Sequence, residues 1–277
     1  MPDTVPLASA AAPSARRQSG ARSVGPPGAP WARLWTPAPG VVVALAPVDA
    51  VLATPAAVWR LRPEEYGSAA GMAARRAREH LAGRALLRLL LAEVAGEEDA
   101  RAPVVPEPAG RPRLPGSPDT GVSISHSGPY AAAAVAIGLD VGVDAQVPRP
   151  PLAALLRRCC APGTAAHLAN LPPERAALAF ARIWSVQEAC VKARGTGLSG
   201  APWRVRVDPG SQAGTSGALH WRRPPWHDAA DAEPVALACA FGPPEAHPAH
   251  PADAHPAAVG TRCPERPMTT CTFAEKR

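Results

Sequence analysis

The pattern of apolar and polar positions predicts short strands and long helices in the first half of the chain. Val41 to Pro47 is a short apolar run rich in β-branched residues and predicts a strand. Ala69 to Ala95 is rich in Ala, Leu, Arg and Glu without proline, which predicts a long helix ended by Gly96. Val122 to His126 alternates apolar and polar residues and Tyr130 to Ile137 is continuously apolar, so both are expected to be strands.

A proline-rich loop at Gln146 to Pro151 is a candidate boundary between two halves of the chain. Before it, Gly138 to Asp140 has the composition of a turn, so Tyr130 to Ile137 and Val141 to Asp144 are expected to pair as an antiparallel hairpin. After it, the pattern predicts helices at Leu152 to Cys160 and Glu174 to Arg194, and strands at Trp203 to Val207, Leu219 to Arg222 and Val235 to Phe241.

Neither end of the chain has the composition of a folded segment. Residues 1–40 consist mostly of Ala, Pro, Ser, Gly and Arg, and residues 243–277 of Pro, Ala and His with scattered charge. Such segments lack the large apolar side chains whose burial offsets the entropy cost of ordering. We therefore expect disordered tails at 1–40 and 243–277 that flank two folded halves, 41–140 and 141–242.

The charge distribution argues against a broad nucleic-acid-binding surface. Residues 41–242 contain 21 basic and 18 acidic residues, and aromatic residues make up 4% of the chain. A nucleic-acid-binding domain usually combines a stronger basic excess with clustered aromatic side chains. A local site for an anion remains compatible with this composition.

Cysteine spacing and hydropathy narrow the class of protein further. The six cysteines show no C-x-x-C spacing and no paired histidines, so a zinc site is not indicated. The longest strongly apolar runs, such as Ala131 to Ile137, are far shorter than a membrane span. We expect a cytoplasmic protein of a reducing compartment.

Trp184, Glu188 and Lys192 recur every four residues in a predicted helix and therefore share one face. A carboxylate beside a tryptophan on a packing face is costly unless a cation or a hydrogen-bond donor receives it. Lys192 is also one of two lysines in a chain with 27 arginines. Two interpretations stay open: an ion pair between Glu188 and Lys192 within the helix, or a site for a divalent cation.

A basic stripe runs along the long helix predicted in the first half. Its members recur every four residues: Arg76, His80, Arg84 and Arg88. Like charges at this spacing destabilise an isolated helix by roughly 0.2–0.5 kcal/mol per pair, and a bound anion would relieve the repulsion. The alternative is a solvated face neutralised by acidic neighbours such as Glu79 and Glu93.

Two strand ends add further polar groups. Asp144 and Gln146 point to one side of their strand, although an Asp before a turn is usually a local hydrogen-bond acceptor. His126 lies between Ser125 and Ser127 at the end of another strand. No aspartate follows at a spacing that would indicate a catalytic triad, so nucleophilic serine catalysis is not favoured.

Taken in order, these segments resemble the 4′-phosphopantetheinyl transferases, in the large monomeric class that includes the surfactin- and enterobactin-activating enzymes. The segments that carry the resemblance are Arg76 to Arg84 (RAREHLAGR), Gly110 to Pro112 (GRP), Ser123 to Ser127 (SISHS), Val141 to Gln146 (VGVDAQ) and Trp184 to Gly197 (WSVQEACVKARGTG). Each is weak alone, but their ordered occurrence over roughly residues 70–200 is specific.

The resemblance implies an α+β fold made of a pseudo-twofold pair of similar subdomains, each a small antiparallel sheet packed on a long helix. It also implies a Mg²⁺-dependent enzyme that binds coenzyme A between the two halves. Such an enzyme transfers the 4′-phosphopantetheine group to a serine of an acyl or peptidyl carrier protein and releases 3′,5′-ADP. We expect a monomer with no nucleic-acid or membrane partner.

Residue roles follow from the resemblance position by position. Glu188 is expected to take the proton from the carrier serine and to hold Mg²⁺ together with Asp144 and Gln146. Lys192 is expected to neutralise charge that develops on the diphosphate. The coenzyme A-binding residues are expected to be Arg76, Arg84, Arg111, Ser125 and His126.

Two positions depart from the family pattern. Gln146 stands where many members have a second metal-binding Glu, and Gln187 replaces the Lys that usually precedes the catalytic Glu. Loss of a carboxylate weakens the attraction for Mg²⁺. One alternative is therefore a catalytically weak relative that binds coenzyme A or a carrier protein without efficient transfer. A second alternative, a nucleic-acid-binding protein that uses the basic helix, is disfavoured by the modest charge of the core.

Overall fold

Runs of strands and runs of helices follow one another along the chain. The computed structural model describes residues 22–23, 31–225 and 235–244. The strands of these ranges are β1 (Arg22–Ser23), β2 (Arg33–Ala38), β3 (Val41–Pro47), β4 (Val105–Pro106), β5 (Pro112–Arg113), β6 (Thr120–Ser127), β7 (Tyr130–Ile137), β8 (Asp140–Gln146), β9 (Ala213–Ser216), β10 (Leu219–Arg222) and β11 (Ala236–Gly242). The α-helices are α1 (Val48–Leu52), α2 (Pro55–Val58), α3 (Pro63–Ala69), α4 (Ala74–Val94), α5 (Glu97–Arg101), α6 (Ala153–Cys159), α7 (Pro162–Ala169) and α8 (Pro173–Ala193). Two 3₁₀ helices follow α8, at Gly197–Gly200 and Pro202–Arg204.

The strands form two larger antiparallel sheets, and each sheet carries one of the two long helices. The first sheet has the order β1-β2-β3-β7-β6 and the second the order β8-β11-β10-β9, while β4 and β5 pair with each other. Helix α4 packs on β3, β6 and β7, and α8 packs on β8, β10 and β11. The α+β fold with two sheet-and-helix subdomains is confirmed. In the described part of the chain, no helix has the length and apolar character needed to cross a bilayer.

Apolar clusters stack these elements as four layers, in the order helix, sheet, sheet, helix. One cluster joins α4 to the first sheet, a second joins the two sheets, and a third joins the second sheet to α8. The first cluster includes Leu87 and Ala133. The second includes Ala134 and Val143, and the third includes Ala189 and Ala238. Alternate residues of β7 therefore belong to different clusters, which explains why its whole sequence is apolar.

Part of the predicted N-terminal tail is folded. Strand β2 lies within residues 1–40 and places the Trp35 side chain in the core between the sheets. Burial of this large aromatic side chain offsets the cost of ordering a segment whose Ala and Pro content hides the strand. The register with β3 shifts between Trp35 and Ala38, around Pro37, which cannot donate a ladder hydrogen bond. Most of the predicted 1–40 and 243–277 tails lies outside the described residues.

The predicted hairpin between Tyr130 to Ile137 and Val141 to Asp144 is wrong. Strand β7 already pairs with β3 on one edge and β6 on the other, so β8 pairs with β11 instead. Gly138, with φ of +70°, turns the chain from the first sheet into the second. The chain therefore passes from the first sheet to the second directly before β8, ahead of the proline-rich loop.

The predicted strand at Trp203 to Val207 is also wrong. Ala201 has a left-handed backbone conformation, and Pro202 opens a 3₁₀ helix in place of a strand. The Trp203 ring lies under the Arg158 guanidinium, 3.8 Å from it, and this cation-π contact holds the segment against α6. Helix α8 ends as expected, since Gly195 adopts φ of +65° directly after the C-cap.

At Gly142, β8 approaches α8 closely. A Cβ there would overlap the backbone of Ala189 and Ala193. We expect Gly142→Ala to destabilise the protein by about 2–3 kcal/mol, because neither backbone can move without disturbing its own packing. Urea unfolding measures this loss.

Gly163→Ala in α7 is the matched control, because nothing lies within 4 Å of a Cβ at that position. We expect this substitution to be neutral or to stabilise the protein by up to about 1 kcal/mol. Equal effects of the two substitutions would contradict the close approach of β8 to α8.

Candidate active site

Trp184, Glu188 and Lys192 are half-buried along one face of α8, as their spacing predicts. Glu188 and Lys192 line a cavity of about 440 Å³ that is also lined by the segment from Ala109 to Pro112. Trp184 lines a neighbouring cavity of about 430 Å³ and stacks on Phe180, with 6.4 Å between the ring centroids. This face of α8 therefore borders open space at Glu188 and Lys192, whereas Trp184 also packs against an apolar cluster.

Lys192 forms its ion pair with β8 and not with its helical neighbour. Its Nζ lies 2.6 Å from Asp144 Oδ1 and donates a second hydrogen bond to the Val143 carbonyl at 3.1 Å. The ion pairs found among the described residues do not include one between Glu188 and Lys192. Of the two interpretations left open by the sequence, the helical ion pair is therefore wrong.

Glu188 carries an unpartnered carboxylate oxygen. Its Oε1 is buried and has no hydrogen-bond partner among the described residues. Burial raises the pKa of the Glu188 carboxyl above its ordinary value, the negative charge of Asp144 raises it further, and the Lys192 ammonium lowers it. A buried acid with a perturbed pKa beside a cavity is typical of a functional site.

Asp144 is 2% exposed and is held from three directions. Besides the Lys192 ammonium, Ser125 Oγ donates to Oδ1 at 2.8 Å and Gln146 Nε2 donates to Oδ2 at 2.9 Å. Val143 on the neighbouring position faces the core between the sheets. The prediction that Asp144 and Gln146 share one side of the strand is confirmed, and both side chains face α8.

Alternate serines of β6 accept hydrogen bonds from alternate backbone N–H groups along β8 and into the residue after it. The pairs are Ser123 with Val143 at 3.0 Å, Ser125 with Ala145 at 3.2 Å and Ser127 with Val147 at 3.0 Å. We call these three bonds the serine ladder. It joins the edges of the two sheets by side chains. Sequence reasoning missed Ser123 and Ser127, although serine at every second position of one strand was a visible signal.

Ser125 faces the protein interior. It was predicted to bind coenzyme A, yet its hydroxyl donates its proton to Asp144 and accepts the N–H of Ala145. Ser125 is also buried. The structure thus gives this residue the task of orienting Asp144.

His126 lies on the opposite face of β6, towards α4. Its Nδ1 is 3.4 Å from Glu79 Oε2, and Glu79 is buried and paired with Arg75. Burial lowers the pKa of His126; Glu79 and Asp144 raise it, and Arg76 and Lys192 lower it. His126 therefore lies within electrostatic reach of both Arg76 and the Lys192–Asp144 pair. Glu79 is a further residue of this region that the sequence did not assign.

The basic stripe on α4 separates into different environments. Arg88 is 1% exposed and forms a bidentate ion pair with Glu65, with N–O distances of 2.8 and 2.9 Å. His80 contacts Ser68 Oγ at 2.8 Å. Arg76 is exposed, whereas Arg84 is half-buried and burial lowers the pKa of its guanidinium. The charge of Arg88 is thus neutralised by Glu65, and not by an external anion or by the acidic neighbours expected from the sequence.

Arg111 is engaged by groups of the chain itself. Its Nε donates to Glu107 Oε2 at 3.0 Å, and its Nη1 donates to Asp140 Oδ1 and to the Ala193 carbonyl, each at 3.0 Å. Arg111 lines the same cavity as Glu188 and Lys192. The structure therefore brings Arg111 to the candidate site, but with its guanidinium already paired.

Gln187 is a buried packing residue. Its Nε2 donates to the Cys159 carbonyl at 2.8 Å and to the Val205 carbonyl at 3.0 Å. These bonds tie α8 to the end of α6 and to the segment after the second 3₁₀ helix. The departure from the family pattern at this position is explained by local packing, away from the cavity.

Asp144, Glu188 and Gln146 carry the oxygen atoms near this site that could bind a hard divalent cation. Within residues 31–225 and 235–244, no cluster of three or more His, Cys, Asp or Glu side chains could hold a metal ion. Asp144 and Glu188 with the amide of Gln146 supply two carboxylates and a neutral oxygen, and Mg²⁺ typically uses one or two protein carboxylates. A cation there would also receive the orphaned Glu188 oxygen.

Two family models match consecutive parts of the chain. A model of the 4′-phosphopantetheinyl transferase N-terminal domain matches residues 64–136, and one of the 4′-phosphopantetheinyl transferase superfamily matches residues 137–240. Together they cover more than half of the 277 residues. The chain belongs to the 4′-phosphopantetheinyl transferase superfamily. The two matches meet at the turn before β8, where the first sheet gives way to the second.

Curated relatives of this superfamily align with part of the chain. The putative 4′-phosphopantetheinyl transferase slr0495 of Synechocystis sp. is 33% identical over 88 residues, 31% of this chain and 36% of that protein. The 4′-phosphopantetheinyl transferase of Bacillus subtilis is 29% identical over 119 residues, 43% and 53%. The 4′-phosphopantetheinyl transferase HetI of Nostoc sp. is 32% identical over 127 residues, 44% and 54%. The chain thus spans about a third to a half of the length of these relatives.

The different environments along α4 predict different costs of the same substitution. We expect Arg88→Met to destabilise the protein by about 3–5 kcal/mol, because it leaves the Glu65 carboxylate buried without its partner. Arg76→Met on the exposed part of the same helix is the control and is expected to change stability by less than about 0.5 kcal/mol. Thermal unfolding of both variants measures the difference.

A double variant separates loss of the ion pair from loss of packing. Arg88→Met combined with Glu65→Leu removes both buried charges and is expected to recover most of the lost stability. If the double variant were as unstable as Arg88→Met alone, the loss would come from packing or from the Arg88 hydrogen bonds to the Ala100 and Ala102 carbonyls, and not from the uncompensated charge.

Proposed function

We propose that this protein transfers the 4′-phosphopantetheine group of coenzyme A to a serine of an acyl or peptidyl carrier protein domain and releases 3′,5′-ADP. The observation that carries the proposal is the orphaned, buried Oε1 of Glu188 beside Lys192 in the 440 Å³ cavity. Membership of the superfamily supports the same reaction. In it, the serine oxygen forms a bond to the phosphorus next to pantetheine, and the bond from that phosphorus to the ADP oxygen breaks.

Glu188 is the proposed general base. Burial raises the pKa of its carboxyl, which makes it a stronger base than an exposed glutamate. Because Glu188 lines the cavity, its carboxylate can accept the proton of a carrier serine that enters there. The proton thus moves to the protein while the serine oxygen attacks the phosphorus.

Lys192 is the proposed cation for the leaving diphosphate. An ammonium has three N–H donors, and Asp144 and the Val143 carbonyl accept two of them within the described residues. These bonds fix the nitrogen at the cavity wall and orient the remaining donor. A positioned cation stabilises the negative charge that develops as the phosphorus–oxygen bond breaks.

Asp144, Glu188 and the amide oxygen of Gln146 are the proposed ligands of Mg²⁺. When bound, the ion supplies positive charge to the diphosphate and a Lewis acid at the reacting phosphorus. Ser125 supports this set by fixing the rotamer of Asp144. The exposed Arg76, the half-buried Arg84 and His126 are the proposed contacts of the adenosine end of coenzyme A, on the α4 side of β6.

Glu188→Gln tests the assignment of the base. We expect it to lower the transfer rate by at least about 100-fold, because the amide cannot accept the serine proton. Glu174→Gln in the first turn of the same helix is the control, since Glu174 is exposed and far along α8 from the cavity. The readout is the mass of a carrier domain incubated with coenzyme A and Mg²⁺, which rises by about 340 Da on transfer.

The same assay decides between the transferase and a weak relative that only binds. The hydrogen bond from Gln146 Nε2 to Asp144 favours the second candidate, because it occupies an oxygen that a metal would use. Binding of coenzyme A or carrier by the wild-type protein with no gain in carrier mass would establish the binding protein. Undiminished transfer by Glu188→Gln would exclude Glu188 as the base.

Gln146→Glu tests the metal site without relying on turnover. The substitution places a carboxylate beside Asp144 in place of a donated N–H, so we expect a lower melting temperature in the presence of a chelator. Because a third carboxylate increases the affinity for a hard cation, Mg²⁺ should raise the melting temperature more in this variant than in the wild type.

The Mg²⁺ dependence of transfer provides the second readout for Gln146→Glu. Half-maximal transfer is expected at a lower Mg²⁺ concentration than in the wild type. Adding Glu188→Gln to the variant should reduce the stabilisation by Mg²⁺. An equal response of all variants to Mg²⁺ would contradict a metal site at these residues.

A further inference from the structure

Arg111 connects the two halves of the protein through its side chain. Arg111 and Glu107 lie in the part matched by the N-terminal family model, whereas Asp140 and Ala193 lie in the part matched by the superfamily model. The guanidinium donates to all three partners, and a second bond to Glu107, from Nη2, measures 3.3 Å. The Arg111 side chain is 10% exposed, so these bonds are shielded from water.

Arg111 is paired with two carboxylates. Glu107 and Asp140 each form an ion pair with it at 3.0 Å, and Arg113 Nε lies 3.4 Å from Glu107 Oε1. A phosphate that drew Arg111 away would leave both carboxylates poorly solvated and without their partner, which is costly.

The residues around Arg111 form a wall of the cavity that contains Glu188. Hydrogen bonds from Glu107 N to the Arg111 carbonyl and from Gly110 N to the Glu107 carbonyl, each 2.8 Å, close the turn between β4 and β5. That turn lines the same cavity as Lys192. Gly195 lies against Arg111 and Glu107, and a Cβ there would be 3.1 Å from each side chain. The turn is thus fixed to the end of α8 by the Arg111 bonds.

We propose that Arg111 is a positioning residue, a clamp that holds the β4–β5 turn at a fixed distance from α8 and so sets the width of the coenzyme A cavity. This role replaces direct contact with coenzyme A, which the resemblance implied for Arg111. The inference rests on the proposed function for the identity of the donor. The clamp itself does not depend on the proposed function, because it consists of contacts within the fold.

Two donors that differ by one phosphate separate the clamp from a phosphate ligand. The experiment measures KM and kcat of transfer from coenzyme A and from 3′-dephospho-coenzyme A by the wild type, Arg111→Gln and Asp140→Ala. Removal of the clamp from either side is expected to raise KM for both donors by the same factor, at least about fivefold, with kcat changed less than about twofold. Arg101→Gln, an exposed position, is the control and is expected to leave both KM values unchanged.

Other results would overturn the proposal. A rise in KM for coenzyme A alone would identify Arg111 as a 3′-phosphate ligand. Unchanged KM values with a lowered melting temperature would show that Arg111 serves stability only. Asp140→Ala tests the clamp from the second half, so the result does not depend on one variant.

If the wild type transferred the group from neither donor, the proposed function would be contradicted. Thermal unfolding would then test whether Arg111 and Asp140 form the clamp. The losses of melting temperature caused by Arg111→Gln and Asp140→Ala are then expected to be smaller in the double variant than their sum, because both remove the same interaction. Additive losses would overturn the clamp.

Discussion

The serine ladder between β6 and β8 is the contact on which the geometry of the candidate site depends. Three hydroxyl oxygens on alternate residues of β6 accept hydrogen bonds from backbone N–H groups at the edge of the second sheet. The middle member, Ser125, also donates to Asp144. Ser125 therefore contributes both to the register between the halves and to the orientation of the acid.

Charge in the site is arranged across the layers and not along one helix. Lys192 reaches from α8 to Asp144 on β8, which leaves Glu188 with an unpaired oxygen and a raised pKa. Had Lys192 paired with Glu188, the carboxylate would have been a weaker base and Asp144 would have lacked its cation. The layer order places these groups together, because β8 is the strand that both α8 and β6 contact.

Much of the local structure and part of the site could be predicted from the sequence. The bounds of β3 and β7 and the half-buried stripe on α8 follow from local periodicity, which is a short-range property. The ion-pair partners of the charged side chains could not be predicted in this way. Asp144 lies 48 residues from Lys192, and Glu65 lies 23 residues from Arg88. Helix spacing alone favours the nearer partner, and only the packed layers bring the distant carboxylates within reach.

The junction through serine hydroxyls also bears on how such a protein can change. No strand of one sheet pairs through its main chain with a strand of the other, as the separate strand orders indicate. Substitutions on the outer face of either half therefore leave the relative placement of β6 and β8 intact, provided that the alternate serines persist. The outer surfaces of the two halves can therefore change in sequence while the serine ladder between β6 and β8 keeps its geometry.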